Sequence, residues 1–284
     1  MTTIAVTGST GRLGRRVSRR LADAGASQRL LVRDLARAPQ WAASEAVAAE
    51  HADTDAVAAA LVGIETVLMV SGSETPDRVS HHRSFVDGAV QAGIAHLVYT
   101  SFVGAAPDST FTLARDHWAT EEYIKASGLT HTFLRDDIYA DFMPMMVGED
   151  NVIRGPAGDG RAAVVAQDDI ADVATAVLLD PASHAGRTYN LTGPAALTLA
   201  EIAATLSEVT GHAVSYHPET LEEAYASRAR YGAPRWQVDA WVSTYTAIAA
   251  GELSAVSVDV ETVTGHPATP LHDVLRRDPA LGSV

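Results

Sequence analysis

Three glycines, Gly8, Gly11 and Gly14, stand between the apolar run Ile4–Thr7 and a helical pattern that opens at Leu13. Few local arrangements constrain a chain more. A strand running through a glycine-rich turn into a helix is the opening of a dinucleotide-binding βαβ unit. Gly8 permits the tight turn, Gly11 lets backbone approach a phosphate, and Gly14 lets the helix pack against the strand. The helix start offers unpaired N–H groups and positive potential to an anion. The loop Gly8, Ser9, Thr10, Gly11, Arg12, Leu13 and Gly14 is therefore expected to cradle a pyrophosphate.

The same rhythm continues downstream. Apolar runs at Leu30–Val32, Ala46–Ala49, Thr66–Val70, His96–Thr100 and Thr130–Leu134 read as strands. Between them, Leu13, Val17, Leu21 and Ala24 recur at helical spacing, with Arg15, Arg16, Arg19 and Arg20 on the other face. Residues 53–61, 80–92 and 116–127 supply further helices. Nearly continuous apolar strands alternating with helices predict an α/β fold, a doubly wound parallel Rossmann sheet covered on both faces. Past Arg135 the alternation stops at the Gly/Pro-rich stretch 154–160. Helices are expected from Asp168 to Leu179, after the Thr198–Glu201 capping box, and from Glu219 to about Ala250, with strands at Thr188–Leu191 and Val214–His217. Residues 1–135 are read as the dinucleotide-binding domain. Residues 136–284 are read as a smaller C-terminal α/β substrate lobe, interwoven with the first and not independent.

Charge and composition narrow the partners. Acidic residues exceed basic ones by 14, which argues against nucleic acid, a ligand that demands a basic footprint. With no cysteine, disulfides, thiolate metal sites and a cysteine nucleophile are excluded. No metal site is expected, since His117 and Glu121 lack a third ligand. The chain opens directly into a strand pattern with no leader and no membrane-length apolar run, so the expectation is a cytoplasmic protein. The sequence leaves the oligomeric state open.

Cofactor choice turns on the second strand. An acidic residue at its end suits a ribose 2′-hydroxyl, whereas Arg33 suits a 2′-phosphate, with Arg12 and Arg37 as further contacts and Asp34 pulling the other way. NADP(H) is the expected cofactor. Asp53, after the third strand, either edges the adenine or caps a helix. Ser71, Gly72 and Ser73, after the fourth, leave room for cofactor at the sheet edge.

A resemblance is carried by the 7–14 loop, by Leu31-Val32-Arg33, Val70-Ser71-Gly72-Ser73-Glu74 and Tyr99-Thr100-Ser101, and by His117-Trp118-Ala119-Thr120-Glu121 and Leu134-Arg135-Asp136. Ala157-Gly158-Asp159-Gly160, Tyr189-Asn190-Leu191-Thr192-Gly193 and Gly265-His266-Pro267 extend it over essentially the whole chain. These stretches resemble atypical short-chain dehydrogenase/reductases of the NmrA-like group, closest to its NADPH-dependent quinone oxidoreductases, with triphenylmethane-dye reductases as a related branch. The resemblance implies NADPH along the loop, at Arg33 and at Ser71–Ser73, with Ser101, Asp136 and Ile138 further along the cofactor. It places residues 136–141 near the nicotinamide. Asp136 departs from the pattern, which usually has Asn there.

Standard members of the wider family use a Ser and a Tyr-x-x-x-Lys pair. Alignment with that pattern puts Phe102, His117 and Glu121 at those positions, so the usual catalytic groups are absent. Reducing a quinone gives a hydroquinone anion stabilised by its ring. Reducing an isolated ketone needs more general-acid help, typically ~10²–10⁴-fold. A quinone or related aromatic acceptor is thus the expected small-molecule substrate. Tyr139 is the first candidate acid, or a packing tyrosine. His117 is the second, as an imidazolium held by Glu121, or else the pair is a helix-surface salt bridge. Phe142, Met143, Met145, Met146, Trp236, Trp241 and Tyr245 either line a substrate pocket or pack the lobe. Two alternatives stand beside the quinone reductase: a ketoreductase acting on a polycyclic aromatic natural product, and a non-catalytic NADP(H)-sensing regulator.

Overall fold

Strands β1 (Ile4–Thr7), β2 (Gln28–Val32), β3 (Ser44–Ala48), β4 (Thr66–Met69), β5 (His96–Phe102) and β6 (Thr130–Asp136) alternate with helices α1 (Arg12–Asp23), α2 (Thr54–Ala60), α3 (Arg78–Gln91) and α4 (Thr112–Ala126) in a computed structural model that describes residues 4–277. Residues 1–3 and 278–284, the ends of the two expected domains, lie outside the described residues. Further along come β7 (Val152–Gly155), β8 (Arg161–Ala162), α5 (Gln167–Leu179), β9 (Thr188–Leu191), β10 (Leu197–Thr198), α6 (Leu199–Thr210) and β11 (Ser215–Pro218). Helices α7 (Leu221–Arg228), α8 (Arg235–Ala249), α9 (Asp259–Thr264) and α10 (Leu271–Arg276) complete the order.

The central sheet has seven strands in the order β3-β2-β1-β4-β5-β6-β9. The pairs β1–β2, β1–β4, β2–β3 and β4–β5 are parallel. This is the Rossmann strand order with one strand added at the far edge. All four residues of β1 and of β4 are buried, as the unbroken apolar runs require of strands covered on both faces. Phe85 of α3 packs with Leu97 and Tyr99 of β5 and Phe133 of β6 in one hydrophobic core cluster. The basic face of α1 is partly spent on α5: Arg20 pairs with Asp172 at 2.6 Å and with Asp168 at 2.8 Å.

By contact density the chain divides into two units. The first comprises Met1–Phe102, Asp116–Arg135 and Asp168–Tyr189, and the second Val103–Arg115, Asp136–Gln167 and Asn190–Val284. Within the second, β7 pairs in parallel with β11, and β8 pairs antiparallel with β10. The expected helix from Glu219 to Ala250 is two helices. Gly232, at φ +58°, ends a short turn, and Pro234 caps α8, so the helix cannot run through. Among the described residues no helix is long and apolar enough to cross a membrane.

Candidate functional site: a cofactor cleft and two buried polar clusters

The glycine loop is built by steric exclusion. Gly8 sits at φ +65°, and its carbonyl accepts from Gly11 N at 2.8 Å. A Cβ on Gly14 would fall onto the Gly8 carbonyl, so only glycine lets α1 start this close to β1. Gly11 is the N-cap of α1 and offers no capping side chain, and the first turn carries no acidic residue. The helix start therefore presents uncompensated N–H groups. Two threonines align the neighbouring strand ends: Thr7 Oγ accepts from Val70 N at 2.8 Å, and Thr100 Oγ from Ser71 N at 2.9 Å.

A cavity of about 270 Å³ opens at these strand ends. Of the sequence-predicted cofactor residues, Gly8, Thr10, Arg33, Ser71, Gly72 and Ser73 line it. Ser9, Leu13 and Gly14 are buried, and Arg12 is exposed at the head of α1. Arg33 is exposed at the end of β2. Asp34, the residue that pulls against a 2′-phosphate, is engaged elsewhere: its carboxylate accepts from Ala36 N at 2.9 Å and caps the turn Leu35–Arg37. Asp53 likewise caps α2, accepting from Ala56 N at 3.0 Å, and the wall before it is made by Glu50, His51 and Ala52. Enclosure lowers the pKa of His51 to about 4, with Arg33 and His81 adding to the effect.

Behind Gly72 lies a closed polar ring that sequence reading missed. Gly72 N donates to His82 Nε2 at 2.8 Å, and Gly72 O accepts from Arg78 Nε at 3.0 Å. Arg78 Nη2 donates to His117 Nε2 at 3.1 Å, and His117 Nδ1 lies 3.0 Å from the Tyr99 hydroxyl. His82 Nδ1 lies 2.9 Å from Thr120 Oγ, which itself donates to Asp116 O at 2.8 Å. The donors fix the tautomers. A guanidinium and a peptide N–H can only donate, so both histidines accept at Nε2 and, when neutral, carry their proton on Nδ1. His117 then donates to Tyr99, whose hydroxyl also lies 3.5 Å from His82 Nδ1 and closes the ring. Burial first, then Arg78, lowers the pKa of His82 to about 2 and that of His117 well below its usual value.

This overturns the expected pairing of His117: it does not bond to Glu121, and its ring nitrogens are engaged by Arg78 and Tyr99. Glu121 is buried and held by Arg135 at 2.6 Å, while Ser101 donates to it at 2.6 Å. The surface salt bridge between them is also absent, because α4 turns both side chains inward.

In the second unit, Asp136 and Asp137 are both buried. Tyr139 OH donates to Asp136 Oδ2 at 3.0 Å, while Asp136 Oδ1 has no hydrogen-bond partner. Burial holds Asp136 well above the usual carboxylate range, opposed by Tyr139 and reinforced by Asp137. Burial also raises Asp137 to about 7 against the pull of the Ile138 and Ala163 backbone. Ile138 N donates to Asp137 Oδ1 at 2.6 Å. Trp241 and Tyr231 meet edge to face beside Val238 and Val242, and the Tyr245 ring fills the space above Gly155, so these aromatics pack the unit. Among the described residues no three His, Cys, Asp or Glu side chains are grouped to hold a metal.

The profile of the NmrA-like family matches residues 1–231. The chain is 32% identical to quinone oxidoreductase 2 of Escherichia coli over 276 residues, covering 94% of this chain and 96% of that one. It is 33% identical to an NAD(P)H azoreductase of Xenophilus azovorans, covering 93% and 94%. The crystal structure of the Escherichia coli NADPH-dependent quinone oxidoreductase complexed with NADPH superposes with a TM-score of 0.87 at 32% identity, covering 95% of this chain and 97% of that chain.

Proposed function

This chain belongs to the NmrA-like family, and on that premise we propose that it is an NADPH-dependent oxidoreductase transferring hydride to a quinone or related conjugated carbonyl. The observation that carries the reading is the cleft at the strand ends, which Gly8 and Thr10 of the glycine loop, Arg33 and Ser71–Ser73 line together. Similarity over nearly the full length of the quinone oxidoreductase and the azoreductase supports it. Quinone and azo acceptors have one property in common: each is conjugated, and its reduced form is a stabilised anion.

The bound cofactor supplies the hydride. The chain's residues bind and orient. The start of α1 at Arg12–Gly14 faces the pyrophosphate, and Arg33 takes the 2′-phosphate. The Ser-Tyr-Lys machinery is replaced by Phe102, His117 and Glu121, and both ring nitrogens of His117 are already engaged. Tyr139, bonded to Asp136, is the assigned proton donor. It acts on an anion that water can also protonate. Tyr139→Phe is therefore expected to lower kcat on the order of 10-fold, below the usual range for a general acid.

The test is loss of NADPH absorbance with a panel of quinones and polycyclic ketones. Turnover with quinones is expected. Turnover with ketones alone, or tight NADPH binding without turnover on either set, overturns the reading. Arg33→Ala should raise the Kd for NADPH by roughly 10–100-fold, the scale of a charge-assisted hydrogen bond, and change that for NADH by less than about 3-fold. Equal losses for both would sink the 2′-phosphate assignment.

A further inference from the structure

Two side chains on the cleft wall keep a buried polar atom without a protein partner. Arg78 is 5% exposed. Its Nε and Nη2 are taken up by Gly72 O and His117 Nε2, but Nη1 has no hydrogen-bond partner. The nearest carboxylate oxygen, on Asp116, is 3.8 Å from it, beyond hydrogen-bond range. Thr75 stands three residues earlier, and its Oγ is also buried and unpartnered. Both residues line the same cleft as Gly8, Thr10 and Arg33. A buried donor left unmade is costly, and a charged one more so. Two of them in one turn, beside a phosphate-binding loop, point to a ligand oxygen.

We propose that Arg78 and Thr75 form a second anchor for the dinucleotide, binding a phosphate oxygen of its pyrophosphate. The anchor rests on the dinucleotide reading above. The polar ring is its mount. Arg78 is held at Nε and Nη2, so only Nη1 is left to a ligand. The same ring fixes both backbone polar groups of Gly72, so the loop Ser71–Ser73 and the guanidinium are positioned as one piece. His82, Thr120, Tyr99 and His117 are positioning residues here and do not touch the cofactor.

Calorimetric titration of NADP⁺ and NAD⁺ into the wild-type chain, Thr75→Val and Arg78→Lys tests this, with a thermal melt on each. Thr75→Val removes no hydrogen bond within the protein, so its melt should match wild type while the Kd rises roughly 3–10-fold. Arg78→Lys should raise the Kd roughly 10–100-fold, and by the same factor for both dinucleotides, because the pyrophosphate is common to them. Arg33→Ala, by contrast, discriminates between the two. Unchanged affinity in both variants, within about 2-fold, overturns the anchor while leaving the cofactor reading standing. A loss confined to NADP⁺ also overturns it, by assigning Arg78 to the 2′-phosphate. If Arg78→Lys fails to fold, Thr75→Val decides alone. Failure of the wild-type chain to bind either dinucleotide brings down both readings.

Discussion

In the first unit, His82, His117 and Tyr99 are buried in a ring in which every histidine nitrogen is bonded, while Arg78 Nη1 is left open toward the cleft. In the second, Asp136 and Asp137 are buried side by side, and one oxygen of Asp136 has no partner. Burial disfavours charge in both places, but the sign of the consequence differs. Burial pushes the histidine pKa values down and those of the aspartates up. The bonded histidines of the ring hold the loop above them. The carboxylate pair is a retained electrostatic cost, an arrangement that suits a reactive site better than a structural one.

The largest expected effect comes from breaking the ring. His82→Leu leaves the Gly72 N–H without its acceptor and should cost about 2–4 kcal/mol in denaturant unfolding. A loss under about 1 kcal/mol would mean that the ring is not a stabilising unit. The opposite sign is expected in the second unit. The folded pKa of Asp137, about 7, lies above its unfolded value. Its stability contribution is therefore present at low pH and lost as pH rises through 7. Asp137→Asn should raise Tm at pH 8 by a few degrees and give no gain at pH 4.

The two regions also oppose each other in one pH window. His51 and His82 have folded pKa values of about 4 and about 2, below the unfolded value of 6.5. Their contribution is present above pH 6.5 and lost as pH falls. Between about pH 4 and 6.5 stability thus gains from the histidines and loses from Asp137 as pH rises. The histidines outnumber Asp137 there, so the wild-type Tm should rise with pH, and Asp137→Asn should steepen the rise. A steep wild-type profile that the substitution leaves unchanged would show that other groups set it.

The central strands were legible because each is an unbroken apolar run with a helical pattern after it. The glycine loop was legible because its three positions have separate steric duties. What escaped was local in space and distant in sequence. Arg78 meets His117 across 39 residues and His82 meets Thr120 across 38, with no periodicity to announce either. His117 and Glu121 have the spacing of a surface pair. Only their burial on α4 shows that each serves a different partner. Strands β8 and β10, two residues each, are too short to carry a pattern. The adjacency of Asp136 and Asp137 was visible, whereas their desolvation belongs to the folded chain alone.

The smallest effect is the difference within a matched pair of substitutions that removes only a hydroxyl from each region. Tyr99 accepts from His117 Nδ1, so Tyr99→Phe leaves a buried N–H without an acceptor and should cost about 1–3 kcal/mol. Tyr139 donates to an aspartate whose pKa burial pushes up. Tyr139→Phe takes away one hydrogen bond from that pair and strands no donor, and should cost less than about 1 kcal/mol. Urea unfolding of both variants at pH 7 measures the difference directly. Equal losses would mean that the second cluster is bonded as completely as the first, and the case for Asp136 and Tyr139 as a site kept for chemistry would lose its energetic ground.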